Sequence, residues 1–186
     1  MVKKTGLSLF GLLVAVLLGL AGCGGGGGTP VSAFTVTPLA GANGSISPAT
    51  AVTVNQGGAT SFTVTPNSGY AIASVTGCGG TLSGDTYTTG AINADCSVSA
   101  TFSLLSYTVT PLAGANGSIS PATAQTIGYN GTTSFTVTPA AGYAISSVTG
   151  CGGSLSGNTY TTGAITGNCT VTAAFASATG TANFTW

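Results

Sequence analysis

Residues 34–50 read FTVTPLAGANGSISPAT and residues 107–123 read YTVTPLAGANGSISPAT. The likeness runs on: Phe34 to Ser103 aligns with Tyr107 to Ala176 at one constant offset without a gap, and 51 of the 70 aligned positions are identical. A chain that duplicates a stretch of this length is a tandem of one structural unit, so the unit is read first.

Within the first copy, apolar and polar residues alternate in short runs separated by turn residues. Phe34-Thr-Val-Thr, Ser45-Ile-Ser, Val52-Thr-Val, Ser61-Phe-Thr-Val-Thr, Tyr70 to Thr76 and Cys96 to Phe102 all carry this period of two, and Thr86-Tyr-Thr-Thr is a shorter candidate. Thr, Val, Ile, Tyr and Phe dominate these runs, as a pleated, half-buried surface favours. No window shows helical periodicity. The pattern predicts an all-β chain made of two small β-rich modules of about five to seven strands each, residues 34–103 and 107–176, joined by a linker at 104–106. Asn43-Gly44 is the kind of pair that closes a hairpin with a type I′ turn. Gly77-Cys-Gly-Gly80 and Thr81-Leu-Ser-Gly-Asp85 read as turns, and Pro48 suits a strand end or an edge. The inward-facing set is Phe34, Val36, Ile46, Phe62, Val64, Ile72, Val75, Leu82, Tyr87, Val98, Ala100 and Phe102, with counterparts at the aligned positions of the second copy. Val98, Ala100, Phe102 and Leu104 share one parity, whereas Leu105, Tyr107 and Val109 share the other. The inward face therefore switches between Leu104 and Leu105, which predicts two touching modules with one of these leucines in the joint.

Composition narrows the chemistry. The chain has 186 residues, two lysines (Lys3 and Lys4), no arginine, no histidine and two carboxylates, Asp85 and Asp95. Nucleic-acid binding rests on Lys and Arg contacts to phosphate, so it is not expected. General acid–base work needs titratable groups in a tuned site, and the second copy replaces Asp85 with Asn158 and Asp95 with Asn168. Both aspartates read as turn residues that Asn replaces freely. Serine and threonine are plentiful but have no base to activate them. An enzyme, a small-molecule substrate and a cofactor are not expected. With so little edge charge, protection of the sheet edges falls to Pro38, Pro48, Pro66, their counterparts and the glycines.

Five cysteines are present: Cys23, then Cys78 with Cys96, and Cys151 with Cys169. The last four allow three pairings. Each copy owns one pair at the same spacing, so pairing within copies is the economical choice. No CxxC and no histidine accompany them, and a metal site is not expected. Such pairing is consistent with an exported, oxidising compartment.

The first residues agree. Lys3 and Lys4 precede an apolar run from Leu7 to Leu20, the layout of a secretory signal, and too short to span a bilayer comfortably. The run closes on Leu20-Ala21-Gly22-Cys23, which resembles the lipobox of bacterial lipoproteins. That resemblance implies that residues 1–22 are removed and that Cys23 becomes a diacylated, N-acylated first residue, the membrane partner being the lipid anchor itself. Residues 23–33, with Gly24 to Gly28, would form a flexible tether. By the same resemblance, Gly24 in place of an aspartate favours the outer membrane or cell surface. An ordinary signal peptide with an incidental Cys23 is the alternative.

The ordered series aromatic-x-Val-x-Pro, Asn-Gly-Ser-Ile-Ser-Pro, Phe-x-Val-x-Pro, Gly-Tyr and x-Val-x-Ala-x-Phe resembles the divergent internalin-type B-repeat family of exported bacterial proteins, over both copies. The resemblance implies a compact β-grasp-like module, with a small sandwich as the alternative that the helix-free pattern allows. It also implies a spacer or surface-interaction role without catalytic residues. Two functions are expected. One is a spacer or stalk that presents a partner or downstream domain. The other is adhesion to an extracellular protein or glycan through threonine stripes such as Thr35, Thr37, Thr63 and Thr65 with Tyr70 or Tyr143. Residues 177–186, with Ala182, Phe184 and Trp186 alternating, read as a linker and the start of a further domain.

Overall fold

The computed structural model describes residues 31–178. The signal segment, Cys23, the glycine tether and the alternating tail from Ala182 lie outside the described residues. Each copy folds into eight strands. In the first, these are β1 (Ala33–Ala40), β2 (Gly44–Ser47), β3 (Val52–Asn55), β4 (Ser61–Pro66), β5 (Tyr70–Thr76), β6 (Thr81–Ser83), β7 (Thr86–Thr88) and β8 (Cys96–Leu104). In the second, they are β9 (Ser106–Ala113), β10 (Gly117–Ser120), β11 (Gln125–Gly128), β12 (Ser134–Pro139), β13 (Tyr143–Thr149), β14 (Ser154–Ser156), β15 (Thr159–Thr161) and β16 (Cys169–Ser177). The eighth strand is β6, in a stretch the sequence presents as a turn. Its three residues pair with β7, Leu82 opposite Tyr87, and only Gly84 and Asp85 form the connection.

Two four-stranded sheets make each module, in the orders β3-β1-β8-β5 and β2-β4-β7-β6. Their facing sides share one core: Val36, Val98 and Ala100 from the first sheet meet Ile46, Phe62, Val64 and Tyr87 from the second. The architecture is all-β, a small sandwich with no helix among the described residues. The first sheet is mixed, because β1 runs parallel to β8 and antiparallel to β3. That parallel pair carries the grasp-like element of the expectation. It also sets where the chain enters and leaves. Val36 lies opposite Cys96, so Ala33 stands three residues before this level and Leu104 eight after it. At about 3.3 Å per residue, entry and exit are about 35 Å apart, at opposite ends of the strand pair.

Burial follows the expected inward set except for Leu82, which is exposed, and for Pro38, Val54, Thr89 and Ile92, which are buried outside it. Leu82 has the inward parity, but edge strand β6 holds it beyond the cover of the opposite sheet, and it stays 39 % exposed, as Leu155 does at 38 %. Val54 is in the core because β3 pairs with β1, placing it beside Phe34. Ile92 is fully in the core from a segment with no alternation, where its N–H bonds to Gly58 O (2.8 Å) and its C=O accepts from Gly57 N (2.7 Å).

Asn43-Gly44 does not close a hairpin. β1 and β2 belong to different sheets, so the turn is a corner that carries the chain from one sheet to the other. Asn43 takes the left-handed conformation (φ 71°) and Gly44 does not, whereas a type I′ turn needs positive φ at both. Gly44 is glycine for another reason: a Cβ there would fall inside the Phe102 ring, and Gly117 stands in the same relation to Phe175. The prolines also move. Pro48 follows edge strand β2, but Pro38 is buried in inner strand β1 and Pro66 ends inner strand β4. The edges are instead blunted by shortness in β2, β3 and β6 and by a bulge between Ile72 and Ser74 in β5, both established ways to discourage further pairing.

Between the modules only Leu105 separates β8 from β9, so the expected three-residue linker shrinks to one. The parity switch is present: burial falls on Val98 and Ala100 before it and on Val109 and Pro111 after it. Leu105 is shared, its N–H donating to Gly69 O of the first module and its C=O accepting from Tyr129 N of the second, both at 2.8 Å. Leu104 leans on Gly128. The Tyr129 ring, absent from the expected joint, lies over Gly69.

Gly44→Ala is expected to cost about 1–3 kcal/mol by overpacking the Phe102 ring, and Gly117→Ala the same in the second module. Urea unfolding of each variant checks this. Were Gly44 needed only for turn freedom, Phe102→Ala combined with Gly44→Ala would restore no stability relative to Phe102→Ala alone.

Candidate functional site

The four cysteines of the modules form the two expected bonds, Cys78–Cys96 and Cys151–Cys169, with Cα atoms 5.6 and 5.5 Å apart. Each ties the turn after β5, or β13, to the first residue of the module's last strand. Cys78 sits in that turn with φ 49°, a conformation most side chains avoid. The same turn receives the buried Tyr87, whose hydroxyl donates to Gly77 O at 2.6 Å, and Tyr160 donates equivalently to Gly150 O. A large ring can be buried there because its one polar atom is satisfied. Sulfur bridge and tyrosine therefore hold one corner of the sandwich, the former closing an 18-residue separation that contributes roughly 3 kcal/mol in the chain-entropy model.

The two carboxylates have structural work that explains their exchange for Asn. Asp95 Oδ1 accepts from Thr35 N at 2.7 Å, and Asn168 Oδ1 accepts from Thr108 N at 2.8 Å. One acceptor oxygen is all the position uses. Asp85 accepts from Val64 N through its backbone carbonyl, as Asn158 does from Val137 N, both at 2.8 Å. Asp85 lies in the connection between β6 and β7 of the second sheet, and Asp95 is bonded to β1 of the first. Among the described residues no group of three or more metal-ligating side chains occurs.

An open cleft of about 340 Å³ lies beside the second disulfide, lined by Cys151, Cys169, Ala164, Ile165, Thr166 and Asn168 among others. No ionisable side chain faces it, and its Asn168 amide is already engaged with Thr108. The cleft offers hydrogen bonding and apolar contact but no acid, base or nucleophile.

The proposed threonine stripe divides in two. Thr35 and Thr37 are on β1 and Thr63 and Thr65 on β4, in different sheets. Each set flanks a core residue, Val36 or Val64, so each points outward from opposite sides of the sandwich. Tyr70 opens β5, separated from β1 by β8. What the fold does assemble is a hydroxyl face on the second sheet. Ser45 and Ser47 of β2, Ser61, Thr63 and Thr65 of β4, Thr86 and Thr88 of β7, and Thr81 and Ser83 of β6 are all exposed. Ser61 and Thr88 hydrogen-bond across it at 3.0 Å. The second module repeats this face with one change, Ser154 where the first has Thr81. The signal for it was legible as Ser/Thr at every other position, but only the pairing of β6 and β2 shows how wide it is.

Replacing Cys78 and Cys96 together by Ser is expected to lower stability by roughly 3 kcal/mol, read by urea titration under non-reducing conditions. Asp95→Asn is expected to change it by less than about 0.5 kcal/mol, whereas Asp95→Ala costs about 1 kcal/mol by leaving Thr35 N without its partner. Equal effects of the two Asp95 variants would refute the acceptor role.

Comparison with curated proteins and with solved structures found no match. The model of one family, described as the divergent InlB B-repeat domain, matches residues 34–106 and again residues 107–179. Its two matches begin on Phe34 and Tyr107, the residues that open the duplicated stretch, and abut at the joint around Leu105. Domains of this family are typically non-catalytic, and in tandem they mark bacterial surface-associated repeat proteins. With most of its length in two such matches, the chain belongs to the divergent InlB B-repeat domain family.

Proposed function

We propose that the protein is a cell-envelope lipoprotein whose tandem repeats act as a spacer, anchored through Cys23 and presenting a partner or downstream domain away from the membrane. The observation that carries this reading is the parallel pairing of the first and last strands of each module. An antiparallel pair would return the chain to its starting end, and added modules would gain no distance. The parallel pair moves it by about 35 Å per module, and the shared residue Leu105 hands one module to the next without slack. The lipobox-like Leu20-Ala21-Gly22-Cys23 and the glycines behind it supply the anchor and tether. One acyl chain binds a membrane only marginally, so the several chains of a lipoprotein N-terminus are what make such an anchor stable. The outer membrane or cell surface is the location this reading favours.

Adhesion is the second reading, favoured by the hydroxyl face that both modules present almost unchanged. Side-chain hydroxyls in a fixed array can hydrogen-bond a glycan or an extended peptide without any charge.

Cys23→Ser is expected to abolish incorporation of labelled palmitate and release the chain from membranes. Deleting residues 34–106 is expected to shorten the reach of a C-terminal epitope by about 35 Å, read as lost antibody access on intact cells, with lipidation retained. Unchanged access would defeat the spacer reading. For adhesion, Thr63→Glu, Thr65→Glu, Thr136→Glu and Thr138→Glu in the full chain should remove binding on a glycan or matrix-protein array. No binding by the unaltered chain would count against adhesion.

A further inference from the structure

The groups that meet at the joint are of two kinds. The backbone bonds are common to both copies. Gln56 N donates to Ser32 O as Tyr129 N does to Leu105 O, each at 2.8 Å. Likewise Ala178 N donates to Gly142 O at 2.9 Å, as Leu105 N does to Gly69 O at 2.8 Å. Either module therefore takes up the chain before it and passes it on after it in the same way.

The side chains are not common. On the leading side, Gly128 and Tyr129 stand where the first copy has Asn55 and Gln56, and on the trailing side Ser68 stands where the second copy has Ala141. The joint brings the two unshared sets together. The Tyr129 ring is half-buried over Gly69, so close that a Cβ on Gly69 would overlap it, and the Tyr129 hydroxyl lies 3.4 Å from Ser68 Oγ. Gly69 has φ 82°, a conformation that favours glycine and leaves the floor under the ring bare. Leu104 packs over Gly128, where a Cβ would come within 2.8 Å of Leu104 Cδ2. The second module thus contributes a plug and the first a socket.

The first module's own leading pair would fit this socket poorly. Gln56 has no ring to cover Gly69, and an asparagine in place of Gly128, as Asn55 is in the first copy, would have to displace Leu104. A contact that favours one neighbour, combined with a clash against another, is how an interface discriminates between them. Domains in tandem move relative to one another unless their interface holds them. Leu105 supplies two hydrogen bonds to that interface, and the packed ring comes from Tyr129 alone.

We propose that Ser68-Gly69 and Gly128-Tyr129 are the recognition pair of a head-to-tail interface, which selects the second kind of module as the neighbour of the first and fixes the two as one stiff body. A tandem of two first-type modules would keep the Leu105 bonds and flex. This recognition is independent of lipid anchoring and of adhesion. A hinged joint would leave a spacer with a shorter mean reach, so failure of the recognition pair would not undo the spacer reading.

The test is the full chain weakly aligned in a dilute liquid-crystalline medium, with residual dipolar couplings of the backbone amides fitted separately for residues 34–103 and 107–176. One common alignment is expected for the unaltered chain. The Gly128→Asn, Tyr129→Gln double variant is expected to show two alignments of different strength. Its thermal unfolding is expected to be unchanged, because the same pair already stands in the folded first module. Tyr129→Phe, which keeps the ring over Gly69, is expected to hold the common alignment. Two alignments in the unaltered chain would overturn the proposal, and so would a common one in the double variant, since Leu105 would then suffice. Loss of the common alignment in Tyr129→Phe would overturn the part given to the ring.

Discussion

The pairing of β1 with β8 is the constraint on which the rest of this structure depends. These two strands lie at the centre of the mixed sheet and supply Val36, Val98 and Ala100 to the core. They also begin and end the module. Because they run parallel, the chain must cross to the second sheet and return before it can complete the first, and the corner at Asn43-Gly44 is where it leaves. The glycine in that corner is required by the Phe102 ring, which comes from β8 itself. The opening strand, the corner and the closing strand are thus one packing unit, although most of the module's sequence lies between them. Contacts of that separation are costly to form in chain entropy, and the disulfide onto the first residue of β8 offsets part of that cost by restricting the unfolded chain.

The same pairing explains how duplication produces a usable assembly. A module that enters at one end and leaves at the other can be copied in tandem without rearrangement, and the copied exit strand runs directly into the next entry strand. Leu105 serves both modules through one N–H and one C=O. The two copies differ at the positions of Tyr129 and Ser68, where they touch, and again along Asn93 to Ser103, while the hydroxyl face and the core stay nearly identical. Divergence at an interface is what a heterologous, head-to-tail contact permits, because its two sides need to fit one another and not themselves.

The scarcity of charge shapes the surface. With one carboxylate accepting a hydrogen bond from Thr35 and the other serving only through its backbone, the modules present hydroxyls, amides and backbone to solvent. Edge protection then rests on short strands and the β5 bulge. Such a surface can hold a defined shape and offer hydrogen bonds.

Much of this was legible in the residues. The tandem repeat, the all-β character, the strand runs, the change of parity at Leu104 and Leu105 and the pairing of cysteines within each copy follow from alternation and spacing, which are local properties. So does the interchangeability of Asp95 and Asn168. Other features depend on which strand lies beside which, and alternation is silent on that. Ile92 carries no pattern, yet hydrogen bonds to Gly57 and Gly58 place it in the core. Leu82 carries the right pattern, yet an edge position leaves it exposed. The threonines at 35 and 63 look like one stripe in sequence and lie on opposite sides of the sandwich. Tyr129 looks like an ordinary turn residue until the joint brings it over Gly69. The sequence by itself determined the unit, its strands and its covalent staples, because these depend on side-chain period and chemistry. The tertiary structure alone decided the sheet order, the end-to-end path of the chain and the plug-and-socket joint, because these arise from contacts between residues that sequence distance does not relate.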